Sequence, residues 1–186
     1  MVARAERPRP SPPPRCVVRG PDDPALRAQA DRLARAMLAW QPLVRNRRGG
    51  EAWVRDLALI DVAVVESKRC SETALLSLEK DPYLLAAIQF HESSWRPAVV
   101  GGRGELGLMQ VHGVALQGLR RDAALDPATN VRLGYEYLLR CRSICGPGPN
   151  DLFLGAFASG ACDRRIPAAR DFLEAVREMR DRADVS

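Results

Sequence analysis

Apolar side chains recur every three or four residues along most of this 186-residue chain, which is the period of an α-helix. The first such segment begins at Asp22 or Asp23, either of which fits an N-cap, with Pro24 in the first turn. Its apolar face consists of Leu26, Ala30, Leu33, Met37 and Trp40. This pattern predicts a helix that ends before Pro42.

A second helix is predicted over residues 51–66, and its apolar stripe includes one carboxylate. That stripe consists of Val54, Leu57, Ala58, Asp61 and Val65. A short helix is predicted over residues 71–78. After it, Asp81 and Pro82 supply the start signals of a stronger helix that runs to about Ser94.

The C-terminal half predicts further helices around one Gly-rich loop. This loop, residues 99–107, leads into residues 108–116, which are predicted to open a helix. The remaining predicted helices span residues 127–140, 152–158 and 167–182. Sustained strand alternation is absent, so the predicted fold class is all-α or nearly all-α, with room for a small β-hairpin around residues 98–106.

The predicted organisation has three parts. Residues 1–21, rich in Pro and Arg, are expected to form a disordered lead-in, residues 22–70 a helical N-terminal extension, and residues 71–182 the main domain. No apolar run approaches the roughly 18 to 20 residues that a bilayer requires, so no transmembrane segment is predicted. No secretory signal peptide is visible, which leaves open a removed signal, another export route, or a chain that stays in the cytosol.

The basic charge of the chain is concentrated at its N-terminal end. The net charge is +5, and residues 1–48 hold 11 Arg against 4 acidic residues, whereas the remainder holds 15 Arg and 2 Lys against 19 acidic residues. A basic arm can bind nucleic acid, anionic lipid or an anionic cell wall, or it can be a solvated tail. No aromatic interleaving or nucleic-acid motif accompanies the charge, so no nucleic-acid partner is predicted.

The five cysteines do not form a metal-binding pattern. They are Cys16, Cys70, Cys141, Cys145 and Cys162. There is no C-x-x-C pair, and the two histidines lie far from the C-terminal cysteines in sequence, so no metal site is predicted. Cys162 can form a disulfide with Cys141 or Cys145, which would stabilise the fold by roughly 3 kcal/mol. Alternatively, all three are reduced and packed as small apolar side chains.

Glu92 is the most informative candidate for chemistry. Leu85, Ile88 and Glu92 stand at positions i, i+3 and i+7, so the carboxylate lies on the apolar stripe of the helix that begins at Asp81. Burial there raises the pKa of a Glu, and the negative end of the helix dipole acts in the same direction. A carboxylic acid that stays protonated near neutrality is what a general acid requires. The alternative is a Glu that ends an amphipathic helix and reaches water.

Three further sequence blocks follow Glu92 in a fixed order. They are Gly107-Leu-Met-Gln110, Asn130-Val-Arg-Leu-Gly134-Tyr-Glu-Tyr137-Leu138 and Gly155-Ala-Phe157-Ala-Ser-Gly160. With Glu92-Ser93, these blocks resemble the lysozyme-like catalytic domain of lytic transglycosylases, the relatives of goose-type lysozyme, over residues 71–182. The resemblance implies a lysozyme-like fold, an enzyme, and glycan strands of peptidoglycan as its substrate.

The resemblance also implies a mechanism. A single Glu, which corresponds to Glu92, protonates the β-1,4 oxygen between N-acetylmuramic acid (MurNAc) and N-acetylglucosamine (GlcNAc). Groups of the sugar itself assist, so neither a second carboxylate nor a cofactor is needed, and the product ends in 1,6-anhydro-MurNAc. Such an enzyme acts in the periplasm, at the cell wall or after secretion, and a phage origin or an alternative export route stays open.

Further residues are expected in the substrate groove. Ser93 corresponds to a residue that orients the acid or the substrate, whereas Met109 and Gln110 correspond to the pair that lines the groove. The amide of Gln110 offers hydrogen bonds to the amide groups of the sugars. Trp95 is either a stacking platform for a sugar or a core residue.

One block departs from the family pattern. Where the family has Tyr-Asn, this chain has Phe157-Ala158, and Phe157 cannot make the hydrogen bond that the family's Tyr directs at the catalytic carboxylate. Ser159 or Tyr137 is expected to take over part of this polar role. The departure leaves open a third type of function, a catalytically weak protein that binds or assembles the cell wall.

Glu105, in the Gly-rich loop, is the other candidate carboxylate. An acid in such a loop is most often a solvated surface group. If Glu105 faces Glu92 across the cleft, it can position a water molecule for attack on the sugar. The protein is then a hydrolytic muramidase, that is, a lysozyme, and a phage origin is one alternative.

Overall fold

The computed structural model describes residues 18–69, 78–146 and 148–184, and within these ranges the chain is helical. The seven α-helices there are α1 (Pro24–Trp40), α2 (Gly50–Ser67), α3 (Pro82–Ser93), α4 (Arg121–Leu125), α5 (Pro127–Cys145), α6 (Asn150–Ser159) and α7 (Pro167–Ala183). Short 3₁₀ helices span Pro42–Asn46, Leu78–Lys80 and Gly113–Leu116. The described ranges contain no β-strand, so the predicted all-α fold class is confirmed.

Three of the helices begin where an Asp precedes a Pro. Asp23 accepts hydrogen bonds from the backbone N–H groups of Ala25 and Leu26, at 2.8 and 3.3 Å. In the same way, Asp81 caps α3 and Asp126 caps α5. The side-chain oxygen satisfies an N–H group that has no partner within the helix, and the Pro at the next position has no N–H to satisfy.

The segment after the Gly-rich loop differs from the prediction. The prediction of a helix over residues 108–116 is wrong, because only a short 3₁₀ helix forms there, at Gly113–Leu116. Gly107 and Gln110 both adopt positive φ angles, of 73° and 45°, which a right-handed helix excludes. In place of the hairpin expected around residues 98–106, isolated bridges join Val100 to Leu106 and Leu106 to Val111.

One helix was not predicted, and two predicted segments lie mostly outside the described residues. Helix α4 was not predicted from the sequence, because its five residues are too few to show a period. Residues 1–17 of the lead-in expected over residues 1–21, and most of the helix expected over 71–78, lie outside the described residues. The second of these segments adjoins the expected boundary between residues 70 and 71.

The helices surround one hydrophobic core. Helix α1 packs against α2 and α7, α2 packs against α3 and α5, and α6 packs against α5 and α7. The two helices of the N-terminal extension therefore share their core with the helices that follow. Trp95 lies in this core with only 1% of its surface exposed, and its indole N–H donates to the carbonyl of Ala86 at 2.8 Å, so it is not a platform for a sugar.

No described helix is long and apolar enough to cross a membrane.

A buried polar pair joins α2 to α3. The Nε2 of Gln89 donates to Oδ1 of Asp61 at 2.6 Å, and both side chains are completely shielded from solvent. The other oxygen of each side chain, Oδ2 of Asp61 and Oε1 of Gln89, has no hydrogen-bond partner among the described residues. Burial raises the pKa of Asp61 well above 3.8 and outweighs the hydrogen bond from Gln89. Burial therefore favours the neutral, protonated form of Asp61 in the folded protein.

A disulfide joins the end of α5 to the loop between α6 and α7. Cys145 is bonded to Cys162, with their Cα atoms 5.6 Å apart. Cys141, the other partner considered for Cys162, is a free and buried thiol. Because residues 157–160 belong to the wall of the cleft described below, this bond ties that wall to α5.

We expect Asp61→Asn to flatten the pH dependence of stability. Only the folded wild type keeps this proton above about pH 4, so its free energy of unfolding falls as the pH rises, by up to roughly 1.4 kcal/mol per pH unit until the raised pKa is passed. The neutral amide has no such dependence. Urea denaturation between about pH 5 and pH 8 measures the difference, and identical slopes would contradict the assignment.

As a control for this substitution, Asp61→Ala should lower the free energy of unfolding by roughly 1–3 kcal/mol, because it leaves the buried amide of Gln89 without its partner.

We expect reduction to destabilise the wild type by roughly 3 kcal/mol, because the disulfide closes a loop across a sequence separation of 17. Thermal unfolding with and without dithiothreitol measures the effect. The double variant Cys145→Ser, Cys162→Ser should unfold at the same temperature in both buffers. An equal response of the wild type and the double variant to dithiothreitol would mean that the bond is not formed in solution.

Candidate active site

One cleft brings together most of the residues that the sequence singles out. It has a volume of about 330 Å³ and is lined by the end of α3, the loop after it, α5 and the end of α6. The predicted site residues in its wall are Glu92, Glu105, Met109, Gln110, Tyr137, Phe157 and Ser159. Ser93 is not part of this wall.

Glu92 lies in the last turn of α3, in the half-buried position that its stripe predicts. The helix ends one residue later, at Ser93, because Ser94 and Trp95 adopt positive φ angles of 52° and 56°. Burial raises the pKa of the Glu92 carboxyl, and the negative charge of Glu105 raises it further. Both effects favour the protonated form of Glu92, which is the form that a general acid needs.

The turn after Glu92 is held by the N-terminal extension. The indole N–H of Trp53, on α2, donates to the carbonyl of Trp95 at 2.8 Å. The guanidinium of Arg47 donates to the carbonyl of Ser94 at 3.0 Å. These contacts were not predicted, since no sequence period links a residue to a turn more than 40 positions away.

Ser93 points into the protein rather than into the cleft. It is buried, and its hydroxyl donates to the carbonyl of Gln89 one turn earlier in α3, at 2.8 Å. The carbonyl of Ser93 accepts from the side chain of Arg96 at 3.0 Å. In this structure the hydroxyl therefore stabilises the end of the helix, and the expected role in orienting the acid stays a prediction.

The Gly-Leu-Met-Gln segment is attached to α5 by one buried side chain. Asn130 is completely buried, and its Oδ1 accepts from the backbone N–H of Met109 at 2.8 Å. Its Nδ2 donates to the carbonyls of Leu106 and Ala124, at 2.8 and 2.7 Å. A Cβ at Gly107 would lie 2.5 Å from this Nδ2, so the position requires a glycine.

Met109 and Gln110 follow this attachment and line the cleft, as expected. A Cβ at Gly134 of α5 would lie 2.5 Å from the Cβ of Met109, so the helix and the loop approach as closely as a glycine allows. The Nε2 of Gln110 donates to the carbonyls of Gly107 and Val99, at 2.8 and 3.3 Å. The Oε1 of Gln110 is left as the atom that can accept from a sugar amide.

Phe157 and Tyr137 form an aromatic wall of the cleft. Their ring centroids are 5.8 Å apart and their planes are inclined by 51°. Burial raises the pKa of the Tyr137 hydroxyl, with a smaller contribution from Cys141. The hydroxyl of Ser159 already donates to the carbonyl of Gly155 at 2.8 Å. Both residues expected to compensate for the missing Tyr therefore have engaged hydroxyl groups, Ser159 with a helix carbonyl and Tyr137 with the side chain of Cys141.

Glu105 lines the same cleft as Glu92, but its pKa is shifted in the opposite direction. Hydrogen bonds from the backbone N–H groups of Glu105 itself and of Arg103 lower its pKa, and the charges of His112 and Arg103 act in the same direction. The cleft therefore holds one carboxyl that tends to keep its proton and one that tends to lose it. Opposite shifts in two neighbouring carboxyl groups are typical of sites that separate acid from base roles.

The part of the chain that the structure describes contains no group of three or more His, Cys, Asp or Glu side chains placed to hold a metal ion.

Comparison with known proteins agrees with this geometry. No solved structure matches the chain. The family model described as the transglycosylase SLT domain matches residues 69–167, a range that includes Glu92, the Gly-Leu-Met-Gln segment, Asn130 and Phe157. This match covers more than half of the chain, which therefore belongs to the family of transglycosylase SLT domains, lysozyme-like proteins related to the lytic transglycosylases of peptidoglycan.

Proposed function

We propose that this protein is a peptidoglycan lytic transglycosylase that cleaves the β-1,4 bond between MurNAc and GlcNAc. The observation that carries the proposal is the position of Glu92, a half-buried carboxyl with a raised pKa in the wall of the cleft. Its neighbours there, Met109 and Gln110, belong to the segment that resembles the groove of the family. The substrate implies a place of action in the periplasm or at the cell wall.

In the proposed reaction Glu92 acts first as an acid and then as a base. Its proton passes to the glycosidic oxygen, the bond between that oxygen and C1 of MurNAc breaks, and positive charge develops at C1. The resulting carboxylate then accepts the proton of the 6-hydroxyl group of MurNAc, whose oxygen bonds to C1. One bond is broken and one is formed within the substrate, Glu92 regains its proton, and the product ends in 1,6-anhydro-MurNAc.

The remaining wall of the cleft fits the binding of a sugar. The Oε1 of Gln110 is an acceptor suited to an acetamido N–H, because the nitrogen of the same side chain is engaged within the loop. The rings of Phe157 and Tyr137 supply an apolar surface for the face of a sugar ring.

A second candidate function is hydrolysis, and the anionic Glu105 in the cleft is the observation that favours it. Glu105 would accept a proton from a water molecule whose oxygen bonds to C1, while Glu92 protonates the leaving oxygen. Mass spectrometry of the released fragments distinguishes the two routes, because the 1,6-anhydro product is lighter than the hydrolysis product by one water molecule. A protein that binds purified cell wall without releasing any fragment would be a wall-binding protein.

Substitution of the acid tests the proposed function. We expect Glu92→Gln to lower the rate of wall lysis by at least about 100-fold, because the amide keeps the shape of the side chain but has no proton to deliver. Turbidity of a suspension of purified peptidoglycan measures the rate. Glu174→Gln, at an exposed position on α7, is the matched control and should lyse like the wild type. Lysis by Glu92→Gln at the wild-type rate would contradict the assignment.

Restoring the family residue at position 157 tests the orientation of the aromatic wall. We expect the hydroxyl of Phe157→Tyr to donate to the Glu92 carboxylate, which stabilises the anion and lowers the pKa of Glu92. Because lysis requires protonated Glu92, the alkaline limb of the pH–rate profile should then move to lower pH. An unchanged limb, or one at higher pH, would mean that position 157 does not face the acid.

A further inference from the structure

The Gly-rich loop holds the carboxylate of Glu105 in a defined place. The backbone N–H of Arg103 donates to Oε2 of Glu105 at 2.8 Å. The loop is closed by two backbone hydrogen bonds, from the N–H of Gly101 to the carbonyl of Glu105 at 2.8 Å and from the N–H of Gly104 to the carbonyl of Gly101 at 3.2 Å. The charge of Glu105 is therefore attached to a closed turn and not to a freely moving chain.

Gly101 provides the space that this arrangement needs. A Cβ at Gly101 would overlap Oε2 of Glu105 and would lie 2.7 Å from Oε1 of Gln110. Both atoms are the ends of flexible side chains, so an added methyl group would displace them without disturbing the core. At the neighbouring Gly102, a Cβ would meet no atom within 4 Å. The loop thus contains one glycine that matters for Glu105 and an adjacent one that does not.

The charged groups around the cleft favour an anionic Glu105 and a protonated Glu92. Arg103 and His112, both in its wall, carry the positive or titratable groups next to Glu105, and with the loop amides they favour its anionic form. Glu92 faces the negative charge of Glu105 from the end of α3. The remaining side chains of the wall that come from α5 and α6, Tyr137 and Phe157 among them, are neutral near pH 7.

We propose that Glu105 is a positioning residue for the proton of Glu92: the closed loop over residues 101–105 fixes an anion in the same cleft, and this anion adds to burial in favouring the protonated form of Glu92. The same charge serves both steps of the proposed reaction. Before cleavage it opposes loss of the proton to solvent, and after cleavage it makes the Glu92 carboxylate a stronger base for recovering a proton. This role rests on the proposed function in so far as Glu92 is the acid.

The titration of Glu92 tests the proposal without requiring activity. Carboxyl ¹³C NMR follows the side chain of Glu92, whose signal is identified by its loss in Glu92→Gln. We expect the midpoint in Glu105→Gln to lie roughly half a pH unit or more below that of the wild type, because a like charge has been removed from the same cleft. An unchanged midpoint in a variant that keeps the wild-type melting temperature would overturn the proposal.

The two glycines test whether the loop fixes the anion. In Gly101→Ala the displaced Glu105 should titrate closer to the ordinary pKa of a Glu, because its hydrogen bond from Arg103 is disturbed. Gly102→Ala is the matched control and should leave both carboxyl groups unchanged. Equal titration of Glu105 in the wild type and in Gly101→Ala would show that the loop does not hold the charge, and would overturn that part of the proposal.

Wall lysis separates this role from direct action on the substrate. For a residue that acts through Glu92, Glu105→Gln should move the alkaline limb of the pH–rate profile to lower pH, so that the loss of rate is larger on the alkaline side of the profile than on the acid side. A rate that falls equally at every pH would make Glu105 the base of the hydrolytic route instead and would overturn the positioning role. If Glu92→Gln lyses normally, the proposed function fails, while the NMR titration still decides whether the two carboxyl groups are coupled.

Discussion

The cleft depends on the hydrogen bonds of one buried amide. The Gly-Leu-Met-Gln segment has no regular secondary structure, so its backbone polar groups need partners from elsewhere. Asn130 accepts a hydrogen bond from the N–H of Met109 in this segment and donates one to the carbonyl of the adjoining Leu106. Its third hydrogen bond, to the carbonyl of Ala124, joins the same side chain to α4. The glycines at 107 and 134 follow from this attachment, because the loop lies so close to α5 that side chains at either position would collide with Asn130 or Met109.

The N-terminal extension supports α3 at its middle and at the end that carries Glu92. Trp53 and Arg47 bind the carbonyls of the turn that follows Glu92, and the buried pair of Asp61 and Gln89 joins α2 to the middle of α3. A helix that presents an acid in its last turn needs a fixed end, because fraying would expose the acid to water and remove the burial that raises its pKa. The extension is therefore part of the structure that maintains the acid.

Features that depend only on neighbouring residues, such as helix caps and helical period, could be predicted from the sequence. The Asp-Pro starts of α1, α3 and α5, and the position of Glu92 on an apolar stripe, follow from capping and helical period alone. Features that depend on distant partners could not be predicted in this way. Residues 108–116 have the composition of a helix, but Asn130, some 20 positions later, holds their start in a turn. The same holds for the partner of Cys162 and for the inward orientation of the Ser93 hydroxyl.

The way in which the loop is attached has a consequence for how such a protein can change over evolutionary time. Asn130 contacts the loop through backbone atoms and not through side chains. The turn over residues 101–105 is closed by hydrogen bonds of its own main chain, so the side chains at 103 and 105 are not part of the core. Substitutions at these two positions would alter the charge next to Glu92 without removing a side chain of the core. The pH at which Glu92 gives up its proton is thus adjustable without changing the residues that hold the fold together.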